Sequence, residues 1–522
     1  MPVASPRATP LVKSAPRCYA YAMRDTLDLE LDGLAHDGRG IGRLPAPESP
    51  GGRGLTVFVA GGLPGQAVRC RVLRRKPRFL EAELLEVLRP APEQTAPLCP
   101  HMTGNSGGCG GCPLQELAYA RQLEWKSRLA RDALMRIGGV DADALEAAWT
   151  ATLPAPALVG FRNRMTFAFG SGAGGLVLGQ RTRGGVDVVP TPGCALLPPG
   201  GRELLAVALS AATASGLGAW RAPGRRGGKG SGVQGFWRFL TLRQGWLPGE
   251  ASPRWWAVCL TSPGGPAERA IVRALGERLL ALEGASRLGG FIHEERRKED
   301  ALALGERRVL CLDARGAENP EAAILRLPLG GRGFALDAAS FFQVNTGAAE
   351  QLARALLAMA PESGQGLLDL YCGVGAPGQL LAPRFAATLG IEADRRAVEL
   401  ARRNAADLHP SGCRYLAGDA GTLVTRLAAG APLPGGARDA KLPRWDTVLA
   451  DPPRGGLAPA ALDALLRLAP DRLLYVSCNP TTLARDAARF SAAYTLERLT
   501  AVDLFPHTPH LECCSLWRRL GT

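Results

Sequence analysis

At 522 residues the chain exceeds what one hydrophobic core serves, so two to four domains of ordinary size are expected. Hydrophobic residues at 46% and charged residues at 21% are ordinary for globular protein, and no apolar run approaches the length of about eighteen needed to cross a membrane. Lysine and arginine outnumber aspartate and glutamate by 62 to 48, a formal charge of +14 that favours a polyanionic partner.

In chain order, residues 1–24 are rich in Pro and Ala and read as a disordered leader. They carry scattered basic residues but no apolar h-region, so export is not expected. The thirteen cysteines should then be reduced in a cytoplasmic setting, and those that cluster should be metal ligands or nucleophiles.

From 25 to about 90 the runs TVFVA and AVRCRVL, divided by Gly and Pro turns, predict strands of a small OB-like β-barrel. Arg69, Arg71, Arg74, Arg75, Lys76 and Arg78 make it a candidate RNA platform; a solvated charge run that protects a sheet edge is the equal alternative.

A central α+β domain is expected over 91–325. It opens on the Cys and Gly knot PLCPHMTGNSGGCGGCPLQEL and the helical AYARQLEWKSRLARDALMRI, and continues through strands in FRNRMTFAFG, FWRFLTLRQG and RWWAVCLTS. Arg162 and Arg164, between Phe161 and Phe167, and the loop Arg221 to Lys229 could contact RNA or simply alternate between surface and core.

Over 326–522 short apolar strands alternate with amphipathic helices, which predicts an open, mostly parallel Rossmann-like sheet. GLLDLYCGVG, ATLGIEAD, CRYLAGDA, DTVLADPP and RLLYVSC each end near a Gly, Asp or Cys, at the strand ends where such sheets bind ligands. Gly373, Gly375 and Gly378 match G-x-G-x-x-G, and Glu392 ends the next strand, placed to accept from two ribose hydroxyls. A dehydrogenase would look the same to this point. Asp419 on the third strand suits an adenine amino group, and Asp-Pro-Pro at 451–453 suits a methyl donor better than a nicotinamide, since the prolines hold an extended backbone.

Two residues add chemistry. Cys478 ends a strand before Asn-Pro-Thr-Thr, which can cap a helix whose field favours thiolate. Glu512 follows a Pro-rich turn and precedes the last predicted strand. A thiolate and a carboxylate beside a methyl donor are what methylation of uracil carbon 5 requires: addition to carbon 6 makes carbon 5 nucleophilic, and a base then removes its proton. Taken singly, each residue is more often a buried small hydrophobe or a surface charge.

SFFQVN at 340–345, DLYCGVG at 369–375, DPPRGG at 451–456, VSCNPTTLARD at 476–486 and FPHTPHLE at 505–512 together resemble the RNA uracil-5 methyltransferases. The resemblance is strongest to the 23S ribosomal RNA branch, with its TRAM barrel and [4Fe-4S] cluster, and runs from about residue 25 to the C-terminus. It implies Cys478 as nucleophile, Glu512 as proton acceptor, and an S-adenosylmethionine site formed by Gln343, Tyr371, Gly373, Gly375, Glu392, Asp419 and Asp451. It also implies Cys99, Cys109, Cys112 and Cys194 as cluster ligands, with a four-cysteine zinc site as the competing reading. The Cys99 to Cys109 gap is longer than the family's usual one, and Ala376-Pro377-Gly378 stands where the family commonly has a polar or aromatic residue. Residues 428–443, rich in Gly, Pro and Ala, read as a loop insertion. The partner implied is RNA, 23S rRNA ahead of tRNA, with no membrane and no feature marking a stable protein partner. An RNA cytosine-5 methyltransferase and a non-catalytic RNA-binding assembly factor are the rival functions.

Overall fold

The computed structural model describes residues 25–44, 54–102, 107–183, 185–221, 235–406, 412–434 and 443–521. The expected leader at 1–24, the loop of 222–229 and residues 435–442 of the expected insertion at 428–443 lie outside them. Two compact units divide the chain after Gln94.

The first unit is a closed five-stranded barrel: β1 (Thr26–Leu34), β2 (Gly40–Arg43), β3 (Thr56–Ala60), β4 (Ala67–Arg75) and β5 (Phe79–Arg89), in the order β1-β2-β3-β5-β4. Alternation sends Val68, Cys70 and Val72 of β4 into the core and Arg69 and Arg71 outward. The outward arginines are not free charge. Arg69 meets Asp28 at 2.9 Å and Glu86 at 3.3 Å, Arg74 meets Glu81 at 3.4 Å, Arg75 meets Asp25 at 3.2 Å, and Arg71 pairs with Glu83. Of the six basic residues expected to form an RNA platform, four are thus spoken for by acids on neighbouring strands and the preceding turn.

The second unit takes in both the expected central region and the expected catalytic domain. Its first sheet has seven strands: β7 (Arg164–Gly172), β8 (Gly175–Arg181), β9 (Val188–Pro190), β10 (Trp237–Gly245), β11 (Arg254–Thr261), β12 (Leu288–Glu295) and β13 (Arg307–Asp313), ordered β13-β12-β11-β10-β7-β8-β9. Leu240, Leu242, Trp255 and Phe167 on one face pack against the helices Gly201–Ala214 and Pro266–Leu280. On the other face Trp256, Val258 and Ile292 are covered by the hairpin β14 (Ile324–Leu329) and β15 (Arg332–Asp337).

The second sheet is the expected mostly parallel one. Its eight strands are β16 (Gly364–Leu370), β17 (Phe385–Glu392), β18 (Cys413–Ala417), β19 (Thr447–Ala450), β20 (Arg472–Ser477), β21 (Tyr494–Val502), β22 (Glu512–Arg519) and β6 (Trp149–Leu153), ordered β18-β17-β16-β19-β20-β22-β21-β6. β18 through β20 run parallel, and β22 is antiparallel to both β20 and β21. β6 comes from the region assigned by sequence to the central domain, yet it lengthens this sheet by pairing with β21. The order reverses at β16, and the crevice beyond the strand ends at such a reversal is where these sheets take ligands. No helix among the described residues is long and apolar enough to cross a membrane.

Candidate active site

β16 is buried over Gly366–Leu370 and then turns sharply: Tyr371 has φ 61°, Gly373 54° and Gly375 82°. Only glycine takes such angles without strain, so the tyrosine is held there by its surroundings. Gly373 N donates to Glu392 Oε2 at 3.0 Å and Asp394 N to Oε1 at 2.9 Å, which fixes the carboxylate at the end of β17 over the glycine turn. The third glycine of the pattern does something else. A Cβ on Gly378 would stand 2.2 Å from Asp369 Oδ2, so this glycine makes room for a buried carboxyl rather than for a ligand. Burial, and then Asp451, push Asp369 well above the usual carboxylate range.

Asp419 caps the helix Ala420–Ala428, accepting from Thr422 N and Oγ1, both at 2.8 Å, through Oδ1. One oxygen of the residue expected at an adenine is therefore spent on the helix start. Gln343 belongs to a loop gripped from the first sheet: its carbonyl accepts from Asn163 Nδ2 at 3.0 Å, Asn163 N donates to Val344 O at 2.8 Å, and Arg164 donates to Ala339 O at 3.1 Å. Buried Arg243 donates to Ser340 O. Beyond these anchors Phe341 stands 71% exposed.

The reactive groups meet where β20 and β22 end. Ser477 and Cys513 are register partners, so one step further along the antiparallel ladder Cys478 comes opposite Glu512. Burial first, and the Glu512 charge second, push the Cys478 thiol up to about 11, and Arg454 opposes them. Glu512 is 2% exposed, and burial with Asp451 beside it lifts its carboxyl well above the ordinary range. Asp451, just past β19, is itself pushed up to about 7 by burial. Asn479 caps the helix Pro480–Phe490 through Thr481 N at 3.1 Å, with Cys478 immediately before it.

Two buried acids hold the flanking loops. Asp486 Oδ2 accepts from Tyr475 Oη at 2.7 Å and Leu457 N at 2.8 Å, which ties the Asp-Pro-Pro-Arg loop to the helix that follows Cys478. Asp503, at the start of the loop leading to Glu512, accepts from Lys126 Nζ at 2.7 Å and Tyr119 Oη at 3.0 Å. Lys126 also reaches Phe505 O at 3.0 Å, while His507, strained at φ 67°, donates its N–H to Gln122 Oε1 at 2.9 Å. Tyr119, Gln122 and Lys126 were not expected to matter; all three lie on the helix Tyr119–Arg136, and their partners are almost four hundred residues away.

Cys99, Cys109, Cys112 and Cys194 line one cavity, together with Arg162 and His507. All twelve cysteines among the described residues are free thiols. Leu114 N donates to His507 O at 2.9 Å, so the cysteine segment touches the loop that leads to Glu512. Among the described residues no three His, Cys, Asp or Glu side chains are grouped to hold a single metal ion.

Residues 325–520 match the model of the tRNA (Uracil-5-)-methyltransferase family and residues 23–85 that of the TRAM domain. The chain is 36% identical to an RNA methyltransferase of Nitratidesulfovibrio vulgaris over 94% of this chain and 96% of that one. It is 30% identical to the 23S rRNA (uracil(1939)-C(5))-methyltransferase RlmD of Alkalilimnicola ehrlichii over 95% and 97%. The crystal structure of Pyrococcus abyssi tRNA (uracil-54, C5)-methyltransferase with S-adenosyl-L-homocysteine shares the fold, at a TM-score of 0.65 and 23% identity, over 94% of this chain and 100% of that one.

Proposed function

This chain belongs to the RNA uracil-5 methyltransferase family, and we propose that it methylates carbon 5 of one uridine in 23S rRNA through a Cys478 adduct. The observation that carries the reading is the meeting of Cys478 and Glu512 across the β20–β22 ladder, with Asp451 and Arg454 in electrostatic reach of both.

S-adenosylmethionine supplies the electrophilic methyl group, and the turn Tyr371–Gly375, Glu392, Gln343, the free oxygen of Asp419 and Asp451 are the groups that would hold it. Cys478 thiolate adds to carbon 6 of a flipped uracil, and the electron pair moves to carbon 5 and the O4 enolate. Arg454 and the N-terminal field of Pro480–Phe490 favour the thiolate that burial disfavours. Once carbon 5 carries the methyl group, Glu512 takes its proton and the electron pair expels Cys478. A buried carboxyl with raised proton affinity is a strong base once ionised, and a sulfonium beside Asp451 would draw the proton off the pair.

The four cavity thiols suit a [4Fe-4S] cluster held by cysteine thiolates, with a four-cysteine zinc site as the competing reading. Reduced thiols in turn fit a cytoplasmic protein. Within the two compact units we read three functional regions, a barrel over 25–90, a cysteine-bearing central region over 91–325 and a catalytic region from 326, with β6 crossing the last division. A tRNA target is the second reading, favoured by the description of the matching family model.

Nucleoside mass spectrometry of 23S rRNA and tRNA from a deletion strain tests the target: 5-methyluridine should vanish from one 23S fragment, and loss from tRNA alone would overturn it. In vitro, Glu512→Gln should accumulate a denaturation-resistant protein–RNA adduct. Cys478→Ala should form none and still bind S-adenosylmethionine.

A further inference from the structure

We propose that the uncovered part of the seven-stranded sheet is a second nucleotide subsite, in which an unpaired base flanking the target stacks on the guanidinium of Arg181. The inference rests on the RNA reading above and adds a place where the strand is held.

One face of that sheet is sealed by two helices, and the hairpin seals the other face over β11 and β12. Over β7, β8 and β10 a groove remains, lined by Gly110, Gly111, Thr166, Arg181, Arg183 and Phe239 among others, with no carboxylate in its lining. Arg181 Cζ lies 5.7 Å from the centroid of the Phe239 ring, which is 6% exposed and so backs the guanidinium instead of meeting solvent itself. A planar guanidinium beside an aromatic ring has a face on which a base can stack, which a lysine lacks. Backbone bonds hold the arginine strand end against the cysteine loop: Gly110 N donates to Arg181 O at 3.2 Å and Arg183 N to Gly108 O at 3.4 Å. A Cβ on Gly110 would lie 3.0 Å from Arg183 Cα, so glycine lets this wall approach so closely.

The face that carries the groove continues along β10. Phe239, Thr241 and Arg243 alternate onto one face of β10, opposite Ala168, Thr166 and Arg164 of β7. Thr166 and Thr241 share a hydroxyl hydrogen bond of 2.9 Å, and Arg164 and Arg243 grip the carbonyls of Ala339 and Ser340 just before exposed Phe341. From Phe239 to Arg243 the strand advances about 13 Å. Cationic, hydroxylated and aromatic at once, with no acid, the lining matches the base-and-phosphate repeat of single-stranded RNA.

The full-length protein should be titrated with a fluorescein-labelled oligouridylate of about twelve nucleotides over a range of salt, and crosslinked to its 5-iodouridine form with peptide mapping. Arg181→Ala should weaken binding about tenfold and reduce the salt slope by about 0.7. Arg181→Lys should keep the slope yet lose several-fold in affinity, Phe239→Leu should fall between, and crosslinks should map to the peptides of Arg181 or Phe239. S-adenosylhomocysteine affinity, unchanged in all three, certifies the fold. Unaltered affinity and slope in Arg181→Ala, crosslinks confined elsewhere, or no binding by the parent protein would overturn the subsite. So would an acidic peptide whose binding is lost on Arg181→Ala while RNA binding is untouched. Methylation of 23S rRNA by the parent protein separates the two readings: if it persists while the variants bind normally, only the subsite fails; if the variants lose the oligomer and the parent makes no 5-methyluridine, only the target reading fails.

Discussion

Replacing Glu512 by Gln should move the titration of a different residue. In the protein without RNA or methyl donor the Cys478 thiol stands at about 11, raised from 9.0 by burial and then by the Glu512 charge. Charges about 7 Å apart at an effective dielectric of about 20 interact by ~2.4 kcal/mol. Water at the open strand ends screens about half of that, leaving roughly one pKa unit. Iodoacetamide labelling of Cys478, followed against pH by peptide mass spectrometry, should therefore show a midpoint near about 11 in the parent protein and about one unit lower in Glu512→Gln. Near pH 10 the thiolate fraction rises about fivefold, and because nucleophilicity falls with pKa the labelling rate gains only about twofold. Arg454→Ala should shift the midpoint the other way, since that cation holds the thiol down. A midpoint that stays put or rises in Glu512→Gln would mean the carboxylate does not face the sulfur, and the proton-acceptor assignment would go with it.

Lys126→Met strands Asp503 without a cation in a pair whose side chains are both fully buried, and should cost about 3–5 kcal/mol in denaturant unfolding; adding Asp503→Asn should restore part of it, and two losses that simply add would refute the pairing. Asp486→Ala removes the acceptor of Leu457 N and Tyr475 Oη, so turnover should drop well before S-adenosylhomocysteine affinity does, as read by single-turnover kinetics and calorimetry. Protein purified without oxygen should be brown with about four irons per chain, and Cys194→Ser should lose them; stoichiometric zinc by elemental analysis would overturn the cluster.

Much of this architecture was legible because strands that end at a ligand crevice carry their polar residue last. Glu392, Asp451 and Cys478 each announce a strand end, and all three stand at one edge of the sheet. The alternation of AVRCRVL likewise marked a barrel strand, and β4 does send alternate side chains inward and outward. What it could not show was that the outward arginines would find Asp28, Glu86, Glu83, Glu81 and Asp25, since pairing across strands depends on register rather than on local pattern. Gly378 shows a related limit: the spacing of three glycines says that backbone must come close to something, and here the third meets Asp369. The Lys126–Asp503 pair left no trace at all, because a lysine on an amphipathic helix looks the same whether it meets water or a carboxylate brought in by the far end of the chain.

The ladder between β20 and β22 also decides which changes of length the molecule can absorb. Thirty-three residues separate Cys478 from Glu512 in sequence, yet their spacing in space is set by backbone hydrogen bonds between neighbouring strands, so lengthening the turn Ser491–Ala493 need not disturb it. One residue gained inside β22, beyond Cys513, is another matter. Period-two alternation would swing the carboxylate onto the side where Cys513 now packs with Trp149 and Trp517, and carry a thiol to the mouth of the crevice in its stead. The enzyme would then present two sulfurs and no base: a protein with its sheet intact, able to seize a pyrimidine and unable to let it go.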